Sequence, residues 1–281
     1  MWGGVSCLGT SYSAESLSDF SVAADLKECK HDEFCRPHPN FGRYANEVGE
    51  KLKMLVSRLA IGLRLPQALQ SWGFGAFWRN GMGLHKRQLE KLWNNLPTTG
   101  NLTAVEFGSG GSTFFFEKFV LKRLPNARLI SFDHDEKFAH VPRNVKVDVR
   151  IRDLVSFPNE DWESFFSKRV RPTGGTRLSK EALEGFRQQR TFYHLHSGDI
   201  PKGVQLALID GPNGDGRSAA FLWIRECLSP AGALILIDDV HHYDFEKRLT
   251  QVFPQAHLLY KEIDPSIHPL YGWALYKVLP N

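Results

Sequence analysis

The chain has 281 residues, a formal net charge of +4, 42% hydrophobic and 23% charged residues. These values suit a folded chain with a sizeable core and exclude wholesale disorder, while so weak a positive balance argues against a dedicated nucleic-acid binder. Four scattered cysteines (Cys7, Cys29, Cys35 and Cys227) exclude a disulfide framework in a chain of this length, and no run approaches the ~18 apolar residues that a membrane span needs.

The start, from Met1 to Cys7, has neither the basic nor the apolar segment of a secretion signal, so the expected compartment is the cytoplasm. Residues 1–40 are polar and weakly periodic and read as an arm. Cys29, His31, Cys35 and His38 within it match no common zinc spacing. Apolar residues then recur at helical spacing over 44–65 (Val48, Leu52, Leu55, Leu59, Leu63), stopped by Pro66. The aromatic stretch 71–78 (Trp72, Phe74, Phe77, Trp78) suits packing against a sheet better than stacking on a substrate. A second amphipathic helix is predicted over 84–96, before Pro97. These elements make an N-terminal arm and helical extension, 1–83, ahead of a domain spanning 84–281.

After Asn101 short apolar runs alternate with helical ones, the pattern of βαβ units around a parallel sheet. Strands are predicted over 104–107, 128–132, 145–151, 205–209, 233–237, 256–262 and 272–278, and helices over 112–124, 218–228 and 245–253. The fold class is therefore α/β: a Rossmann-like, seven-stranded, mostly parallel sheet with helices on both faces. Residues 153–203 are too long for an ordinary connection, whose median is ~4–6 residues. They read as an insertion with helical patches near 161–169 and 179–190. Lys168, Arg169, Arg171, Arg177, Lys180, Arg187 and Arg190 make it basic. It reads equally as a lid over the site or as a solvated helical hairpin.

Four motifs fall at predicted strand ends. The first is Glu106-Phe107-Gly108-Ser109-Gly110-Gly111-Ser112-Thr113. Gly108 and Gly110 permit a tight turn and a close backbone approach, and the helix start beyond them favours a ligand carboxylate. Glu106 would repel a pyrophosphate but suits the amino group of a zwitterion. The third glycine of a nicotinamide fingerprint would fall at Thr113, so the spacing fails for that cofactor. The second motif, Phe132-Asp133-His134-Asp135, places Asp133 to accept from both ribose hydroxyls, with His134 beside it and Asp135 as a first-turn helix acid. The third, Leu208-Ile209-Asp210-Gly211-Pro212-Asn213-Gly214-Asp215-Gly216-Arg217, aims Asp210 at a reacting centre and continues into a loop. The fourth, Ile237-Asp238-Asp239-Val240-His241-His242, adds two acids beside it. Converging carboxylates repel unless a proton or cation intervenes. Mg²⁺ on Asp210, Asp238 and Asp239 would resolve the conflict, or His241 or His242 would act as general base.

Together these motifs resemble class I S-adenosylmethionine-dependent methyltransferases, in particular the small-molecule and glycan O-methyltransferase group, over roughly residues 84–278. The resemblance implies S-adenosylmethionine as cofactor, held by Glu106, Gly108, Ser109, Gly110, Ser112, Asp133 and His134, with Asp153 a candidate at the adenine. It implies a catalytic set of Asp210, Asp239, His241 and His242, and methyl transfer to an oxygen of a small molecule or sugar. The basic insertion suggests an acidic acceptor. Catechol-type relatives carry Asp-Asn where this chain has Asp238-Asp239. The rival readings are another enzyme on the same scaffold, such as a hydroxylase or nicotinamide-dependent enzyme, and a non-catalytic nucleoside-binding module.

Overall fold

A computed structural model describes residues 41–63, 85–137, 139–179, 182, 190–241, 243–264 and 272–280. The arm 1–40 with its cysteine cluster, the aromatic stretch 71–78, most of the patch 179–190, and His242 lie outside the described residues.

Helix α1 (Phe41–Gly62) occupies the region expected over 44–65, but packs differently. Leu52, Leu55, Leu59 and Leu63 are exposed, whereas Ser57, Ala60 and Ile61 are buried. Ser57 and Ala60 are small enough for close packing, and Ile61 joins the core. Helix α2 (Lys86–Asn95) opens with a capping box between His85 and Gln88 and buries Gln88, Leu89, Leu92 and Trp93 along one stripe. Among the described residues no helix is long and apolar enough to cross a membrane.

Seven strands form the central sheet: β1 (Thr103–Phe107), β2 (Arg128–Asp133), β3 (Val147–Ile151), β7 (Leu206–Ile209), β8 (Ala233–Asp238), β9 (His257–Ile263) and β10 (Gly272–Val278). Their order is β3-β2-β1-β7-β8-β10-β9. The first five run parallel. β10 is inserted antiparallel between β8 and β9. This is the seven-stranded, mostly parallel Rossmann-like sheet expected from the sequence, and it fits a class I fold.

Successive residues along the inner strands enter opposite cores. Val105, Phe107, Ala207, Ile209, Ile235 and Ile237 belong to one cluster, and Ala104, Leu206, Leu208 and Leu236 to the other. Because both faces are covered, Leu206–Ile209 and Ala233–Ile237 read as unbroken apolar runs rather than alternating ones. Each fully buried Leu, Ile or Phe in them contributes roughly 1.5–3 kcal/mol. The second cluster lies under α2 and under helix α3. α3 starts at Gly111–Phe115, widens to a π-helical turn over Phe116–Val120 and ends with Leu121–Arg123. The expected helix 112–124 is thus present but not uniform. The wider turn lets Phe115, Phe116, Phe119 and Val120 all be buried.

The insertion differs most from expectation. It is neither a bare hairpin nor wholly helical: β4 (Leu154–Ser156), β5 (Thr176–Arg177) and β6 (Thr191–Tyr193) form a second, antiparallel sheet in the order β5-β4-β6. Helix α4 (Asn159–Lys168) lies between them in sequence and buries Trp162 and Phe166. Leu154, Val155, Phe192 and Tyr193 share the first cluster with helices α5 (Ala219–Cys227) and α6 (Phe245–Val252).

Candidate functional site at the carboxyl edge of the sheet

The sheet reverses its winding between β1 and β7, so the crevice outside their carboxyl ends is the topological switch point where open α/β sheets bind ligands. Phe107 at the end of β1 pairs in register with Phe132 on one side and Ile209 on the other. The turns after these strands are therefore neighbours. Gly108 has φ of 94°, and a Cβ there would stand 2.7 Å from the Gly211 nitrogen. A Cβ at Gly211 would in turn stand 2.8 Å from the Gly108 Cα and 2.7 Å from the Tyr193 hydroxyl. The turns after β1 and β7 touch back to back, with Tyr193 of the insertion against them. A Cβ at Gly110 would meet nothing within 4 Å, so the outer side of the turn is open.

Glu106 is fully buried on the face covered by α3. Its two carboxylate oxygens accept from the Ser112 and Thr113 hydroxyls at the start of that helix. Burial pushes its carboxyl up to about 7, hydroxyl hydrogen bonds oppose the rise, and the Asp210 charge adds to it. Thr113 Oγ1 also accepts from the Gly110 N–H at 2.9 Å and lies 3.1 Å from Ser109 Oγ.

Asp133, at the end of β2, accepts from the N–H of Ser109 at 2.8 Å, of His134 at 2.7 Å and of Asp135 at 3.1 Å. Burial raises its carboxyl, but the bonds from His134, Asp135 and Ser109 outweigh it and the net shift is downward. His134 Nδ1 lies 3.4 Å from Asp133 Oδ1. Asp135 caps a turn by accepting from the Lys137 N–H at 2.9 Å. It is not the first-turn helix acid expected.

Asp210 and Asp239 are partly exposed, their side chains 32% and 27% accessible. Between them lies Arg217, 2% exposed. Its Nη1 is 3.2 Å from Asp239 Oδ2, 3.9 Å from Asp210 Oδ1 and 3.3 Å from the Asp238 carbonyl, and its Nε donates to the Pro212 carbonyl at 2.9 Å. Asp238 accepts from Gln88 Nε2 of α2 at 2.8 Å. Burial raises the carboxyls of Asp210 and Asp238, with Arg217 pulling down and the neighbouring acids pushing up. Asp239 holds a left-handed backbone, φ 55°, a conformation that aspartate tolerates better than most residues.

The structure thus brings Glu106, Gly108, Ser109, Gly110, Ser112 and Asp133 into one bonded unit, and Asp210, Asp238 and Asp239 into a second. His241 packs against Gly272, where a Cβ would stand 2.1 Å from its Nδ1. Asp153 is exposed and paired with Arg177 at 3.1 Å. Arg171, another basic residue of the insertion, lies 3.4 Å from Glu226, so part of the basic charge expected to attract an acidic acceptor is neutralised within the fold.

The metal expectation is corrected. The acids Asp210, Asp238 and Asp239 converge as the motifs implied, but the cation among them is the Arg217 guanidinium. Among the described residues no group of three or more His, Cys, Asp or Glu side chains is arranged to hold a metal ion. Mg²⁺ does not fit this donor set. The sequence motifs include Arg217 and Thr113 without giving either a role, and Gln88 and Tyr193 lie outside them. The signal for Arg217 was present, since an arginine ends the Gly-rich loop Gly211–Gly216 that follows Asp210.

No family model matches the chain, and no curated protein matches it. Among solved structures it is similar to a precorrin-6y C5,15-methyltransferase from Geobacter metallireducens, with 9% identity and a TM-score of 0.42 over 71% of this chain and 92% of that one. It is also similar to the T. thermophilus 16S rRNA N2 G1207 methyltransferase, with 12% identity and a TM-score of 0.35 over 70% of this chain and 42% of that one. A third is the CurJ carbon methyltransferase, with 12% identity and a TM-score of 0.35 over 85% of this chain and 69% of that one.

Proposed function

We propose that the chain is an S-adenosylmethionine-dependent methyltransferase that acts on an oxygen of a small molecule or sugar. The observation that carries this reading is the pairing of Glu106, buried beneath the glycine turn, with Asp133 one strand away and bonded to the same turn. An acid under the turn disfavours a pyrophosphate and suits an ammonium group. An acid at the next strand end suits a nucleoside's ribose. The open outer side of Gly110 supplies room for the ligand.

In this reading Glu106, in its ionised form, receives the ligand's amino group directly or through water, and the N–H groups at the start of α3 face its carboxylate. Asp133 Oδ2, which accepts one protein hydrogen bond at Ser109, keeps acceptor capacity for a ribose hydroxyl. When bound, the cofactor supplies an electrophilic methyl group on a sulfonium. Asp210, whose carboxyl burial raises while the Arg217 charge pulls it down, takes the proton of the acceptor hydroxyl in its ionised form. The surplus negative charge of the strand-end acids favours a cationic sulfonium nearby. Positioning and fixed charge account for most of the acceleration.

The test is titration calorimetry of the full chain with S-adenosylhomocysteine, S-adenosylmethionine and NAD. Binding of the first two and not the third is expected. Binding of NAD alone, or of none, sinks the reading.

A further inference from the structure

We propose that Arg217 stands in for a divalent cation at the strand ends, holding the Asp210 and Asp239 carboxylates together beside Asp238 so that the site works without a bound metal ion. The catalytic consequence rests on the methyl-transfer reading; the cation balance does not.

The carboxylates at the ends of β7 and β8 repel one another unless a proton or a cation intervenes: burial and its acidic neighbours favour the protonated form of Asp238, and Asp210 and Asp239 have Arg217 between them. One nitrogen, Arg217 Nη1, reaches two of these carboxylates, Asp239 Oδ2 at 3.2 Å and Asp210 Oδ1 at 3.9 Å, and the backbone carbonyl of Asp238 at 3.3 Å. The guanidinium is permanently charged, so it cannot be lost by deprotonation. A Mg²⁺ ion drawing on the same oxygens would need them at about 2.0–2.1 Å, in space this nitrogen already fills.

Nor can Arg217 swing out to make room. Its side chain is 2% exposed and its Nε is tied to the Pro212 carbonyl at 2.9 Å. It rises from the short 3₁₀ turn Asp215–Ser218. That turn is seated directly on β6: a Cβ at Gly216 would stand 1.8 Å from the Thr191 carbonyl oxygen. Asp215 Oδ1 accepts from the Arg190 N–H at 2.6 Å, and Ser218 Oγ bonds the Asp215 carbonyl at 2.7 Å. The inserted sheet therefore braces the arginine from behind. Gln88 approaches from α2 and holds Asp238 Oδ1 by its amide at 2.8 Å, a neutral donor that needs no metal partner. Arg217 is a positioning residue here: it sets the placement and charge of Asp210, the group proposed to meet the acceptor.

The experiment is Mn²⁺ binding, followed by electron paramagnetic resonance and calorimetry, on the chelator-treated full chain. The wild-type chain is expected to show no stoichiometric site below about 1 mM Mn²⁺. Arg217→Met, which keeps length but loses charge, is expected to gain one site at least about tenfold tighter than any wild-type binding, and adding Asp239→Asn is expected to remove it. Arg217→Lys is expected to stay silent like the wild type. A stoichiometric Mn²⁺ site in the wild type that Asp239→Asn releases would overturn the proposal, as would a folded Arg217→Met chain that binds none. Should Arg217→Met fail to fold, the wild type and Arg217→Lys decide: both silent supports the proposal, and a site in either overturns it. S-adenosylhomocysteine binding measured in parallel separates the two ideas, because its absence removes the methyl-transfer reading and leaves the Mn²⁺ result standing.

Discussion

The Ser109 backbone N–H donates to Asp133 Oδ2 at 2.8 Å, joining the glycine turn after β1 to the end of β2. With the His134 and Asp135 amides also directed at this carboxylate, Asp133 organises two loops before any ligand arrives. Asp133→Asn turns one acceptor oxygen into a donor that faces backbone N–H groups. A loss of about 1–3 kcal/mol is expected, together with roughly tenfold or more weaker S-adenosylhomocysteine binding. The wild-type carboxyl titrates below its ordinary value. Its stabilisation is therefore present above about pH 4 and lost as pH falls through the lower folded value. Urea unfolding across pH 2–7 checks this; an acid limb identical in both proteins contradicts it.

Glu106 works in the opposite sense. Its folded carboxyl lies at about 7 against an ordinary 4.5, so the folded chain binds the proton more tightly than the unfolded one. The associated stability is full below about pH 4.5 and declines as pH rises through 7, by about 3 kcal/mol in all. Glu106→Gln should flatten that slope. A ligand ammonium favours the ionised form, so binding of S-adenosylhomocysteine should strengthen from pH 6 to 8 with release of a proton. Calorimetry in buffers of different ionisation enthalpy reads that proton, and pH-independent affinity with no release counts against Glu106 as the ammonium partner.

Gly108 and Gly211 leave no room for each other's side chains. Gly108→Ala adds a Cβ both at positive φ and against the Gly211 backbone, and more than ~2 kcal/mol of destabilisation is expected. Gly110→Ala meets open space, so its melting temperature should stay near wild type while ligand binding falls. Thermal melts and titrations of both variants give the contrast; equal melting losses would refute it.

The Tyr193 hydroxyl is buried with no hydrogen-bond partner among the described residues, while its ring packs on Phe107 and Phe132 at 6.2 and 6.4 Å between centroids. Removing only the hydroxyl should leave stability unchanged or higher by up to ~1 kcal/mol. Tyr193→Ala, which empties the ring's volume, should cost about 3–5 kcal/mol. Denaturant unfolding checks both, and a large loss in Tyr193→Phe would reveal a partner for the hydroxyl.

The central sheet was legible because its inner strands are short and mostly apolar, unbroken over Leu206–Ile209 and Ala233–Ile237 and interrupted only by Glu106 in 104–107 and Ser131 in 129–132, each followed by an acid or a glycine turn. Glu106, Gly108 and Asp133 sit where such runs end, and local spacing suffices to place them. The inserted strands carried no such signal: Leu154–Ser156 and Thr191–Tyr193 have three residues each and Thr176–Arg177 two, too short for a period to register. Arg217 was hidden for a different reason. Its partners Asp238 and Asp239 lie more than twenty residues on, and only the pairing of β7 with β8 brings those acids to it. The exposed leucines of α1 show the same limit, since periodicity reveals a stripe but not which side of the helix finds a neighbour.

The widened turn in α3 has a structural role of its own. It sets the direction in which Glu117 leaves the helix, and Glu117 meets His140 Nε2 at 3.0 Å and the Arg143 N–H at 2.8 Å. The His140 N–H in turn donates to Ser109 Oγ at 3.0 Å. One surplus residue in a helical turn thus acts as a spacer for a loop 23 to 26 positions away. Trimming it would restore the regular winding and swing Glu117 by about 100°, leaving the glycine turn without its backstop.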